Sequence, residues 1–237
     1  KQFSIMKNKS KGIIFYLKKI KDNDLYIKIL SSKDEINSGL VFGGNSSKKK
    51  LIYQKGYFIE YSSIKKNQNS PSILTAEINK PYIGNILEDK YKINALLSIL
   101  SLINLSIVEG QNINGLFKDL EYTVIKIVDK KNWIIIYCEW LFSLLQRIGY
   151  QIDYHMHFDK KYFNLHSQVF TNNFSKESLE FPHDLFSIKK IINFKNLDTI
   201  FSIFESIFTI NHLDNLNYKM PFNFINFKKM ILLRLKL

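Results

Sequence analysis

Apolar and polar residues alternate in short runs over the first third of the chain, then give way to a period of three to four. Gly12–Leu17, Leu25–Leu30 and Gly39–Phe42 are apolar or alternating runs separated by clusters of Lys, Asp, Asn and Ser, the pattern of strands joined by polar turns. Tyr57–Ile64 sets Phe58, Glu60 and Ser62 against Tyr57, Ile59 and Tyr61, as a half-buried strand does. Ile73–Ile78 supplies a fifth strand after the turn signal Ser70-Pro71-Ser72. Five short strands within about 70 residues predict a small barrel. Their spacing fits an OB-type and an SH3-like barrel equally well.

Asn79-Lys80-Pro81 marks the boundary, dividing the chain into a barrel domain, 1–80, and a mainly helical domain, 81–237. The fold class is therefore α+β. Tyr91–Val108 is apolar almost all round, which predicts a buried helix, broken by Glu109-Gly110-Gln111-Asn112. Leu116, Phe117, Leu120, Val124 and Ile127 recur at helical spacing. Trp133–Ile148 is a third apolar helix with Gly149 at its C-terminal cap. Tyr154–Lys176 reads as an irregular segment of short strands and turns. Phe181–Asn193 and Leu197–Ile210 return to helix, the latter with Leu197, Ile200, Phe201, Phe204, Ile207 and Phe208 on its core face and Asn196 as N-cap.

Composition adds a sign to this outline. A chain of 237 residues, 46% of them apolar, is long enough to bury a real core and too apolar for general disorder. The net charge is +13. Abundant Lys, Ile and Asn match an A- and T-rich coding bias, so charge alone says little. Its distribution says more: residues 1–80 hold 16 lysines against 6 acids, whereas residues 81–237 hold 18 basic and 15 acidic residues. The barrel segment carries the electrostatic footprint. A single cysteine, Cys138, excludes a disulfide within the chain and suits a reducing compartment. It lies in an apolar helical pattern and reads as a buried small hydrophobe. Lys1–Met6 lacks the apolar core of a signal peptide, and the opening Lys1 implies residues upstream. Ala95–Val108 and Trp133–Leu145 are too short or interrupted to span a bilayer. The expectation is a soluble cytoplasmic protein.

Candidate chemistry is sparse. Asp153, His155, His157 and Asp159 alternate, and on a strand all four would share one face as metal ligands. The simpler reading makes Tyr154, Met156 and Phe158 the buried face, and it is preferred because a structural zinc needs four convergent ligands. Asp22-Asn23-Asp24 reads as a polar turn rather than a carboxylate pair. His166, His183 and His212 are scattered. There is no Gly-x-x-x-x-Gly-Lys-Ser/Thr loop and no Gly-x-Gly-x-x-Gly turn. No enzyme, cofactor or metal site is predicted.

Three lysine clusters remain: Lys18, Lys19 and Lys21 close the first strand, Lys48, Lys49 and Lys50 follow Gly43-Gly44, and Lys65 and Lys66 end the fourth strand. The paired glycines permit a turn with positive φ, and the lysines after them form a flexible phosphate-binding tip. Strand ends and loops of a barrel can converge into one groove, where lysines neutralise phosphates without reading sequence. Tyr16, Tyr53, Tyr57 and Tyr61 are candidates for base stacking, although core packing is the better reading for most of them. The only arginines are Arg147 and Arg234, so bidentate recognition has little support.

Gly39 to Tyr61 joins Gly-Gly, a Ser/basic loop, Leu-x-x-Gln-x-Gly and a strand, and resembles the N-terminal domain of RecO, the bacterial recombination mediator. Relatives commonly carry arginine at the positions of Lys48 and Lys50 and proline at Lys55. Glu109 to Phe117 resembles the family's acidic residue and polar turn before a Leu-Phe helix. Glu139-Trp140-Leu141 through Ile148-Gly149-Tyr150-Gln151-Ile152-Asp153 resembles its Trp-Glu helix and Leu-Gly motif, and Lys219-Met220-Pro221 its closing helix. The resemblance implies an OB-type barrel followed by a helical domain. It implies a non-catalytic mediator of DNA repair and homologous recombination, associated with the nucleoid, that binds single- and double-stranded DNA and anneals complementary strands. Implied partners are RecR, RecF in some systems, RecA, and the single-stranded-DNA-binding protein, whose acidic C-terminal tail docks on the helical part. Some relatives bind zinc through two cysteine pairs in the middle of the chain, and this sequence lacks them. Ser31–Ser38 also keeps little of the basic turn that relatives show. An RNA-binding OB module and a non-catalytic protein-interaction scaffold are the rival readings.

Overall fold

Each of the five strands contributes an apolar row, and a sheet with one apolar face closes on itself to hide both that face and its edges. In the computed structural model, which describes residues 9–21, 23–65, 67 and 70–236, the strands are β1 (Ser10–Lys19), β2 (Leu25–Ser31), β3 (Ile36–Val41), β4 (Phe58–Ile64) and β5 (Ile73–Lys80). They form a closed barrel in the order β1-β2-β3-β5-β4. β1 pairs antiparallel with both β2 and β4, and β3 meets β5 in parallel at Leu40 and Ile73. This is the strand order of the OB fold, which decides the choice that spacing left open. Ile14, Leu25, Ile27, Ile29, Val41, Tyr53, Ile59, Tyr61 and Leu74 fill the interior.

The parallel seam depends on Gly39. A side chain there would press into the Ser72 carbonyl and meet Leu74 Cγ at 2.9 Å. β4 differs from its half-buried expectation. Phe58, Ile59, Tyr61 and Ser62 are all buried, because the outer side of the strand is covered as well. Phe58 packs edge-on against Tyr82 at 5.3 Å and Phe117 at 6.0 Å.

The strand-to-helix change falls after Lys80, and the chain forms two compact units, Lys1–Val128 and Asp129–Leu237. The first unit includes the barrel, α1 (Lys90–Ser106), which packs on β1, and most of α2 (Leu116–Asp129). Asp89 caps α1, its carboxylate accepting from the Tyr91 and Lys92 N–H groups. The α2 N-terminus is capped from far away in sequence. Asp34, at φ 64° in the β2–β3 turn, accepts from Gly115 N and Phe117 N at 2.7 Å each. Asn112 Nδ2 donates to the Lys33 carbonyl, and Ser38 Oγ donates to Glu109. The Ser31–Ser38 turn is thus committed to the helical layer of its own unit.

The second unit contains α3 (Trp133–Arg147), a small sheet of β6 (Tyr162–Asn164), β7 (Val169–Thr171) and β8 (Ser178–Glu180) in the order β7-β6-β8, then α4 (His183–Phe186), α5 (Phe194–Phe208) and α6 (Phe222–Arg234). Gly149, at φ 98°, ends α3 as expected: Tyr150 N bonds the Leu145 carbonyl and Gly149 N the Gln146 carbonyl. Tyr137, Phe201 and Phe227 interlock between α3, α5 and α6. Two helical expectations are corrected. Phe181–Asn193 holds only the four-residue α4: Ser187 is extended, its hydroxyl accepts the Lys189 N–H in a local turn, and Lys190 takes φ 48°. The N-cap of α5 is Asn193, whose side chain accepts from Asn196 N, so Asn196 already lies inside the helix. Among the described residues, no helix is long and apolar enough to cross a membrane.

Candidate nucleic-acid interface

The lysine clusters occupy a strand end and connections that the barrel ties together. The β1–β2 loop and the start of the β3–β4 loop are joined by two hydrogen bonds, Gly43 N to Asp24 Oδ1 and Asn45 N to the Asn23 carbonyl, both 2.7 Å. The β4–β5 loop reaches the same strand, since Leu40 N donates to the Ser72 carbonyl at 2.8 Å. Lys18 and Lys19 at the end of β1, and the loops bearing Lys21, Lys48–Lys50 and Lys65, are therefore gathered around the C-terminal end of β3. All seven of these lysines are exposed. Lys66 lies outside the described residues, as does Asp22. Asn23 and Asp24 form the polar turn that the sequence implied, with Asp24 fastening one loop to the other.

Gly43 and Gly44 have separate jobs. Gly43 supplies the positive φ, 62°. Gly44 is buried and has room for no side chain, because a Cβ would meet Val41 Cγ1 at 2.8 Å and Leu25 Cδ1 at 2.9 Å. The segment beyond is a string of turns rather than a free tip. Lys50 N bonds the Ser46 carbonyl, Ile52 N bonds the Lys49 carbonyl, and Gln54 Nε2 bonds the Lys50 carbonyl. Lys49 bends back, its Nζ donating to the Phe42 carbonyl at 2.9 Å. Lys48 and Lys50 project from a loop that Lys49 helps to close.

The tyrosines divide. Tyr53 and Tyr61 are core residues. Tyr53 Oη accepts from Ala76 N, and burial pushes the Tyr61 phenol up to about 12. Tyr57 is half-buried against the same core. Tyr16 alone of the four faces outward, beside Tyr26, which the sequence reading passed over. Period-two alternation from Ile14 puts residue 16 inside, so only the actual register could reveal it.

The alternating Asp/His segment does not form a strand. Tyr154–Met156 is a 3-10 turn, in which successive side chains fan out instead of alternating. Tyr154 is buried as expected, but Met156 and Phe158 are exposed, which corrects the expected apolar face. His155 lies on the Tyr154 ring at 3.9 Å and His157 on Phe170 at 5.1 Å. Among the described residues, no group of three or more His, Cys, Asp or Glu side chains converges to hold a metal. The small sheet is knitted by Asn164: its Nδ2 donates to Ser175 Oγ at 2.9 Å, and its Oδ1 accepts from His166 N and Ser167 N. His183 Nε2 bonds the Lys160 carbonyl, and His212 packs on Phe208. Cys138 is fully buried, which pushes its thiol up.

No protein-family model matches the chain. It is 28% identical over 148 residues to the DNA repair protein RecO of Rickettsia canadensis, a match covering 62% of this chain and 61% of that protein. Against RecO of Hyphomonas neptunium the identity is 24% over 144 residues, 60% of this chain and 59% of that protein. An uncharacterized protein of Rickettsia prowazekii, RP548, is 30% identical over 98 residues, 41% of this chain and 84% of that protein. The matches thus span about three-fifths of the RecO relatives' length.

Proposed function

The chain belongs to the RecO family, and on that premise we propose that it serves DNA repair and homologous recombination as a non-catalytic mediator. It binds single- and double-stranded DNA through the lysine-bearing loops of the barrel and anneals complementary strands. With RecR, and RecF where present, it assists RecA loading on strands coated by the single-stranded-DNA-binding protein, whose acidic tail it engages. The observation that carries this reading is the gathering of exposed Lys18, Lys19, Lys21, Lys48–Lys50 and Lys65 around one end of an OB-ordered barrel. Lysines there lower the repulsion between two phosphate backbones through counterion release while holding no base by a bidentate contact. That combination suits annealing, in which strands must be brought together and then let go.

The test is annealing of complementary single strands, bare and coated with the cognate single-stranded-DNA-binding protein, alongside a Lys48→Ala/Lys49→Ala/Lys50→Ala variant. Acceleration on coated strands that the variant loses is the expected result. Acceleration on bare strands alone reduces the protein to a basic nucleic-acid binder, and tighter binding to structured RNA favours the RNA module. Absence of any DNA binding at low salt removes the mediator reading and leaves a scaffold.

A further inference from the structure

The outer face of β1 and β2 carries a pattern that the loop lysines do not account for. Between Ile14 and Tyr16 the β1–β2 register slips, Ile14 pairing with Ile29 and Tyr16 with Lys28. The extra residue at Phe15 reverses the alternation, so Ile14 and Leu17 both point at the core while Tyr16 turns outward. Lys18 then pairs with Tyr26. The result is a square of four outward side chains with the tyrosines on one diagonal and the lysines on the other. The rings sit edge-to-face at 6.4 Å. Lys28 Nζ lies 5.4 Å and Lys55 Nζ 6.0 Å from the Tyr16 ring centre. Tyr16, Lys18, Tyr26 and Lys28 line an open groove of about 590 Å³ together with Asn104 of α1. Asn104 Oδ1 is buried and has no hydrogen-bond partner among the described residues. Among the described residues, no carboxylate forms an ion pair with Lys18, Lys28 or Lys55.

We propose that this face is a base-stacking platform for single-stranded DNA, with Tyr16 and Tyr26 receiving successive bases and Lys18, Lys28 and Lys55 receiving the phosphates beside them. The proposal rests on the DNA-binding reading above and deepens it by giving the protein two modes. Loop lysines hold any phosphate backbone, single or double. The tyrosine platform holds only bases whose faces are free, because in a duplex those faces are already stacked. Tyr16 itself is not part of the barrel core, which the bulge completes with Leu17 instead.

The experiment is fluorescence anisotropy of the full chain with a labelled oligothymidine, a duplex of equal length, and an abasic strand of equal length, each across a salt series. Tyr16→Ala/Tyr26→Ala should weaken oligothymidine binding by at least about fivefold per tyrosine and leave the salt slope unchanged, since no phosphate contact is removed. Duplex binding should change less than about twofold, as should binding of the abasic strand, which offers no bases. Tyr16→Phe/Tyr26→Phe keeps the rings and should bind like the unaltered protein. The platform is overturned if the alanine pair binds oligothymidine normally, if it loses strand and duplex alike, or if the phenylalanine pair is as weak as the alanine pair. Should the unaltered protein bind neither strand nor duplex at low salt, the DNA-binding reading itself falls. Failure of the tyrosine variants alone, with duplex binding intact, removes only this inference.

Discussion

Two stretches of this chain offer polar side chains suited to a ligand, and the fold treats them in opposite ways. The barrel's lysine clusters are scattered over some fifty residues, yet closure of the sheet fastens their loops to one another through Asp24, Asn23 and Ser72. Asp153, His155, His157 and Asp159 are close in sequence but do not converge, because the backbone beneath them is a 3-10 turn. Proximity in sequence therefore counted for less than the conformation that carries it. Alternation becomes convergence only on a strand. Loop charges, which follow no periodicity, are gathered by strand order.

That contrast can be broken most directly at the seam that closes the barrel. Gly39→Ala should cost about 2–3 kcal/mol, because the added methyl group meets backbone at Ser72 and Leu74 has little room to yield. Urea unfolding measures the loss. DNA affinity should fall with it if loop gathering depends on closure, and unchanged stability would show that the parallel β3–β5 contact is dispensable. Next in size is Asp34→Ala, which leaves the Gly115 and Phe117 N–H groups without their acceptor and should cost about 1–2 kcal/mol. Asp34→Asn, still able to accept one bond, should recover part of it.

In the second region the expected effects are smaller. Burial holds the Glu139 carboxyl above its ordinary value of 4.5, against the opposing pull of His155 and Lys190. The folded state therefore holds that proton more tightly than the unfolded state. Stability falls as pH rises through the interval between the ordinary and the raised value, and the loss is complete above it. Glu139→Gln should accordingly raise the melting midpoint near about pH 8 and leave it unchanged below about pH 4. A variant equally stabilised at both extremes would show that ionisation is not the cause. Smallest of all is the response to metal. Dialysis against EDTA, or added zinc, should move the midpoint by less than roughly 1 °C. A larger shift would place a ligand set in the Tyr154–Asp159 region after all.

Much of the fold was legible from periodicity. All five strands, the three helices from Lys90 to Arg147 and the Gly149 cap follow from runs of apolar residues and from one glycine that tolerates positive φ. The misreadings share a cause. Phe181–Asn193 has the composition of a helix, but side-chain-to-backbone bonds at Ser187 end it after one turn. Asn193 and Asn196 are both competent caps, and only the position of the core face of α5 selects the first. β4 alternates as a half-buried strand should, and tertiary cover from Tyr82 and Phe117 buries its other side.

The site divides along the same line. The sequence by itself determined that the basic residues belong to the barrel segment and that they are lysines, since charge and residue type need no coordinates. It also determined, through Gly43-Gly44, where the chain must turn. The tertiary structure alone decided which of these residues share a surface. A single slip of register at Phe15 turns Tyr16 from core to solvent, while Tyr53 and Tyr61, on other parts of the barrel, fill its interior. Register depends on the pairing energies of two strands at once, and no one strand's sequence contains that information.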